Sequence, residues 1–156
     1  MVVDNVLIHK FRAPVYRNII WVVVSDNIEK SFDVVEDLVH FRIVKDKDRK
    51  LIDAYTYAYS DSSVFGRLFI FFHYKVHLGR MIHEIKHAVN LIFQYSGVRL
   101  SLTNDEHECY YLETITDKVL GVIKKYKEKK YDVLGKHTTR RIHLKRDRQG
   151  VRKRTK

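Results

Sequence analysis

The chain has 156 residues, 45% of them hydrophobic and 12% aromatic, with a formal net charge of +11. That length suits one hydrophobic core and not two of ordinary size, and a composition this apolar, with a single proline, excludes a low-complexity chain. Cys109 is the only cysteine, which excludes an intramolecular disulfide.

The opening segment, Met1 to Lys10, has neither the apolar core nor the small-residue cleavage site of a signal peptide, so a reducing compartment is expected. No apolar run approaches the roughly 20 residues of a membrane helix, and no membrane partner is expected. The charge is unevenly placed. Between Gly135 and Lys156 there are ten basic residues against Asp147 alone, so nine of the eleven net charges belong to a C-terminal extension and two to residues 1–134. The expected organisation is therefore a domain over 1–134 followed by a basic extension over 135–156.

In chain order, Val2 to Ile8 and Ile19 to Val24 are short β-branched runs, and the second is apolar at every position, as a central strand would be. Ser25-Asp26-Asn27 supplies a stop and a cap, after which Ile28, Phe32, Val35 and Leu38 recur at helical spacing. Ala54 to Tyr59 alternates and Arg67 to Phe72 is continuously apolar after its first residue. Ser60 to Ser63 and Gly66 lie between them, which predicts two strands joined by a short turn. The alternating tyrosines 55, 57 and 59 read as packing residues of such a strand.

The period then changes. From His77 to Tyr95, Leu78, Ile82, Ile85, Val89 and Ile92 recur at steps of three and four, with Ser96-Gly97 as a stop. A short extended piece, Val98 to Leu102, leads to Thr103-Asn-Asp-Glu106, a capping-box helix start. Tyr110, Ile115, Val119 and Ile123 carry a further helix to about Tyr126.

His83-Glu84-Ile85-Lys86-His87 is an HExxH pattern. Histidines four apart on a helix project from one face about a turn apart, close enough to share one metal ion, and the intervening glutamate can address a water on that ion. With nine histidines in the chain, random order gives this pattern roughly once in 40, so context carries the rest. The pattern lies on a predicted helix, with an apolar stripe to bury that helix and acids on the helix that follows. A catalytic zinc also needs a third protein ligand, and Glu106 follows His87 by nineteen positions.

This order resembles the gluzincin metallopeptidases, in which HExxH on one helix is completed by a glutamate from a following helix. The stretch from Met81 to Leu112 is more closely similar to small HExxH proteins encoded by tailed bacteriophages: an HExxH helix, a glycine turn, a short apolar strand, and an Asn-Asp-Glu helix start with an aromatic soon after. The resemblance implies an α+β fold, a small and mostly antiparallel sheet packed on the HExxH helix and a ligand-bearing helix. It also implies zinc held by His83, His87 and Glu106, with Glu84 as base in peptide-bond hydrolysis.

Glu113-Thr-Ile-Thr-Asp117 resembles the thermolysin-type segment in which a ligand glutamate is followed by an aspartate that holds a histidine. Glu113 is therefore the alternative third ligand or a second acid behind it, Asp117 is either the group that would hold a histidine or a helix-surface charge, and seven-residue spacing puts Glu106 and Glu113 on one helix face. His107 and Cys109 are further donors, though Cys109 reads as a small buried hydrophobe. Tyr110, Tyr111 and the strand after Gly66 are candidates for steadying an oxyanion, and Arg67 to Phe72 is expected as the edge strand along which a substrate backbone would lie.

The implied partner is a peptide or protein substrate, in the bacterial cytoplasm or a virion. In a virion the same fold would instead serve assembly, among neighbouring subunits. Arg140, Arg141, Lys145, Arg146, Arg148, Arg152, Lys153 and Arg154 are the candidates for contact with nucleic acid or a protein partner.

Overall fold

A computed structural model describes residues 1–16, 18–43, 53–61, 64–99 and 105–152, with side chains described through Asp132 except at residues 60, 61, 64 and 65. Among the described residues five strands form one sheet, β1 (Val2–Val3), β2 (Val6–Arg12), β3 (Ile19–Ser25), β4 (Ala54–Asp61) and β5 (Val64–His73), in the order β1-β2-β3-β5-β4. Three helices cover it: α1 (Ile28–Val39), α2 (Leu78–Tyr95) and α3 (Asp105–Arg152). The fold is α+β with a mixed sheet. Three of its ladders are antiparallel, and β3 pairs with β5 in parallel, Ile19 opposite Arg67 through Ser25 opposite His73.

The central strands follow directly from their residues. Ile20, Val22 and Val24 point to one face and Trp21 and Val23 to the other, and all five are buried. β5 repeats this with Leu68, Ile70 and Phe72 against Phe69 and Phe71, none of them exposed. A strand apolar on both faces must be covered on both faces. Phe32, Val35 and Ile43 cover the Trp21–Phe69–Phe71 side from α1 and its exit, while Ile85, Ala88, Val89 and Ile92 of α2 and Ile115, Val119 and Val122 of α3 cover the other. The tyrosines of β4 do pack: Tyr55 lies edge-on to Phe32, and Tyr59 stacks on Phe41 at 4.2 Å.

Two strand expectations are corrected. The run Val2 to Ile8 is not one strand, because Asp4 and Asn5 take positive φ (50° and 66°) and fold it into a hairpin with Val3 opposite Val6. Short polar side chains tolerate that conformation better than any others except glycine. Arg67 to Phe72 is not an edge strand either. It lies in β5, between β3 and β4, and the edge beside it is β4.

Helix ends follow the caps. Asn27 Oδ1 accepts from the Lys30 N–H at 3.0 Å, opening α1, and the left-handed His40 closes it with its N–H on Glu36 O. α2 ends at Ser96, with Gly97 at φ 70°. α3 continues well past Tyr126 to Arg152 through residues that are mostly good helix formers and contain no proline. Thr103, on which the expected capping box rests, and Leu100 to Leu102 lie outside the described residues. No described helix is long and apolar enough to cross a membrane.

One ion pair ties the sheet to the far part of α3. Lys130 Nζ donates to Asp26 Oδ2 at 2.8 Å and lies 4.1 Å from the centre of the Tyr74 ring. That hydrogen bond, opposed in part by desolvation, holds the Asp26 carboxyl below its ordinary 3.8. A depressed carboxyl favours the fold only while ionised. Its stabilisation is therefore complete above 3.8 and is lost as pH falls through the lower folded-state value. Asp26→Asn is expected to lower the urea midpoint at pH 7, with the gap from wild type closing as the pH of the titration drops below 3.8. A gap that persists unchanged in acid would mean that the aspartate acts through packing and not charge.

Candidate metal centre

α2 is an amphipathic helix whose buried side is Met81, Glu84, Ile85, Ala88, Val89, Ile92 and Phe93. His83 and His87 fall on the opposite side and are exposed, one turn apart. Their rings stand nearly perpendicular (87°), with Nε2 of one 3.1 Å from Nε2 of the other. Two nitrogens on a tetrahedral zinc, each about 2.0–2.1 Å from it, are about 3.3 Å apart. The histidine pair therefore fits a shared metal ion with little movement. The same separation also suits an N–H to N hydrogen bond between neutral imidazoles.

Glu84, one residue on, is turned about 100° around the helix and is buried, with 7% of its surface exposed. Its backbone carbonyl accepts a second hydrogen bond, from Thr56 Oγ1 of β4 at 2.8 Å, which seats this turn of α2 against the edge strand. The HExxH sequence thus produces two exposed imidazoles and a carboxylate at the helix–sheet border. Beside His83 a surface hollow opens at the start of α2, lined by Asp53, Val76, His77, Gly79 and Arg80. His77 is occupied as the helix cap, its Nδ1 accepting from the Gly79 N–H at 3.2 Å.

The expected acids are not gathered around the histidines. Among the described residues no three His, Cys, Asp or Glu side chains stand close enough together to hold a metal. Glu106, Glu113 and Asp117 do share a face of α3, as their spacing requires, and all three are exposed, opposite the buried stripe Tyr111, Ile115, Val119 and Val122. Cys109 is exposed as well, contrary to expectation, because its position falls about a third of a turn from that stripe.

The acid that does reach α2 is Glu108. It forms an ion pair with Lys86, the residue before His87, and only 16% of its side chain is exposed. Its sequence signal was its place on the apolar stripe, four residues before Leu112 and seven before Ile115.

The oxyanion candidates separate cleanly. Tyr110 is 64% exposed, whereas Tyr111 is buried between Tyr16 and Phe93, with ring centres 5.4 and 5.2 Å away. Burial, with Tyr16 close by, pushes the Tyr111 hydroxyl up to about 12. His107 packs on the same cluster, 5.6 Å from both Phe93 and Tyr111. Arg140, Arg141, Lys145, Arg146, Arg148 and Arg152 belong to the backbone of α3, their side chains lying outside the described residues, as Lys153 and Arg154 do entirely. No family model matches the chain, and no curated protein or solved structure matches it.

The histidine pair gives a direct test. Protein loaded with zinc at neutral pH and dialysed is expected to retain about one equivalent, and His83→Ala or His87→Ala to lower the affinity at least 10-fold, measured by competition with a chromogenic chelator. Full zinc retention by the double variant would place any bound metal elsewhere.

Proposed function

We propose that this chain is a gluzincin-like zinc metallopeptidase, with His83 and His87 as two zinc ligands, Glu106 as the third and Glu84 as the general base. The observation that carries the reading is the 3.1 Å approach of the two Nε2 atoms, made by an HExxH helix docked through Glu84 on an antiparallel edge strand. Glu106 rests on its nineteen-residue separation from His87 and its place in the first turn of α3; from the outer face of that helix it reaches an ion on α2 only if this first turn rotates toward the histidines. Glu113 and Glu108 are its competitors.

Zinc, when bound, supplies a Lewis acid that brings the pKa of a water toward about 7. The chain's own part is proton handling and alignment. Glu84, held by the backbone bond from Thr56, takes a proton from the attacking water and returns it to the leaving amine. β4 is the edge strand of the sheet among the described residues, the place at which an extended peptide would add. Tyr110, exposed on the first turns of α3, is the available phenol donor for a developing oxyanion.

A second reading has its own observation. α3 runs for 48 residues, yet Tyr126 is its last described core residue. A helix that continues past that residue into so basic a sequence suits a virion subunit that contacts neighbours or nucleic acid through the extension.

Glu84→Gln is expected to keep zinc and lose peptide cleavage by about 10²–10⁴-fold, since it removes proton transfer without removing a ligand. Among Glu106→Gln, Glu108→Gln and Glu113→Gln, the first should weaken zinc most. Cleavage of a peptide library by wild type but not by Glu84→Gln supports the peptidase; zinc-loaded wild type that cleaves nothing, yet is present stoichiometrically in particles, supports the assembly role instead.

A further inference from the structure

The near-neutral total of residues 1–134 conceals a separation of charge across the sheet. On one face, α1 carries Glu29, Asp33, Glu36 and Asp37 against Lys30 alone. On the other, α3 between positions 118 and 130 carries six lysines and one glutamate.

Three of those lysines form a row. Lys118, Lys125 and Lys129 are all exposed, and their steps of seven and four return to one side of a straight helix, because eleven residues make three turns of about 3.67. The sequence repeats the same steps at Lys136 and Arg140. The row borders β2. Lys118 Nζ lies 5.3 Å from the centre of the Phe11 ring. His9, two residues earlier on the same strand face, is pushed down by its partial burial and then by the charges of Lys125, the N-terminus and Lys118.

We propose that the α3–β2 border, centred on Lys118, Lys125, Lys129 and His9, is a binding surface for the phosphate backbone of nucleic acid. The surface belongs to the folded domain. A row of cations along one side of a helix suits a polymer that carries a row of anions, and the partly exposed Phe11 beside Lys118 offers an apolar contact to sugar or base. Binding is non-specific in sequence and independent of any metal at His83 and His87.

The test compares two charge-matched variants of the full chain. Lys118→Gln/Lys125→Gln removes two members of the row; Lys124→Gln/Lys127→Gln removes two equally exposed lysines from the other side of α3. Binding to a labelled duplex of about 20 base pairs and arbitrary sequence is followed by fluorescence anisotropy across a salt series, each phosphate contact being worth about 0.9 in the slope of log K against log salt.

The row variant is expected to reduce that slope by roughly 2 and to weaken binding at least 10-fold near 0.1 M salt, while the control pair changes either little. Equal losses in the two variants would show that only total charge or the C-terminal segment matters, and would overturn the proposal. So would failure of wild type to bind the duplex at low salt. Displacement by polyglutamate as effective as by unlabelled duplex, at equal concentration of charge, would assign the surface to an acidic protein and overturn it too. A second readout is local: the His9 ring, followed by NMR, should titrate at higher pH once phosphates offset its cationic neighbours, and should not move with the control site.

Discussion

Two adjacent strands with no polar face set the terms for the rest of the molecule. β3 and β5 run parallel, and their residues from Ile20 to Val24 and Leu68 to Phe72 are at most 7% exposed. A parallel pair cannot be closed by a tight turn, so the chain must leave β3, cross the sheet and return. α1 makes part of that crossing on one face. β4 is laid down at the margin before β5 enters the centre, and α2, launched four residues after β5, has to turn back over the second face. The location of the HExxH helix over β4 and β5 is thus a consequence of how the buried pair is sheltered.

The same constraint explains why the motif presents its residues as it does. α2 gives the side carrying Ile85, Ala88, Val89 and Ile92 to the sheet, which leaves positions 83 and 87 facing outward and position 84 at the seam. An imidazole pair in water and a carboxylate in a half-dry margin have different chemistry from the same residues placed at random on a surface. A cation bound by the exposed pair would meet little desolvation cost, and the turn that carries the acid is held by a bond from a neighbouring strand. α3 contributes an ion pair, Lys86 with Glu108, beside the second histidine. That contact occupies an acid on the face of α3 directed at α2, while Glu106 and Glu113 lie on its outer face.

Much of this could be read from the residues, and the failures have identifiable causes. The central strand was evident because IIWVVV has no polar alternation, and both α1 and α2 were evident because period 3.6 persisted between a cap and a stop. The hairpin at Asp4-Asn5 is not legible in the residues, because two polar residues inside a β-branched run suit either a strand interior or a turn, and only the pairing of Val3 with Val6 decides. An edge position for β5 conflicts with its unbroken run from Leu68 to Phe72, which requires cover on both faces. At the candidate site the histidines were legible from spacing alone. Glu108 was not, since an acid next to His107 and Cys109 reads as helix surface until the apolar stripe is extended backwards to it. The charge separation was hidden for a related reason: a net total discards position, and α1 and α3 cancel in the sum.

The single tryptophan has a further consequence. Trp21 is buried on the α1 side of β3, its ring centre 5.1 Å from that of Phe69 and capped by Lys10 Nζ at 3.5 Å. Its intrinsic emission therefore originates in one layer of the molecule, in a rigid setting with a cation above the ring. Spectral changes will register loosening of α1 from the sheet, whereas events at His83 and His87 take place behind an intervening wall of backbone. An optical signal that stays constant while metal is added would be the natural result of that geometry, and a separate chromophore on the α2 side is needed to watch the other half.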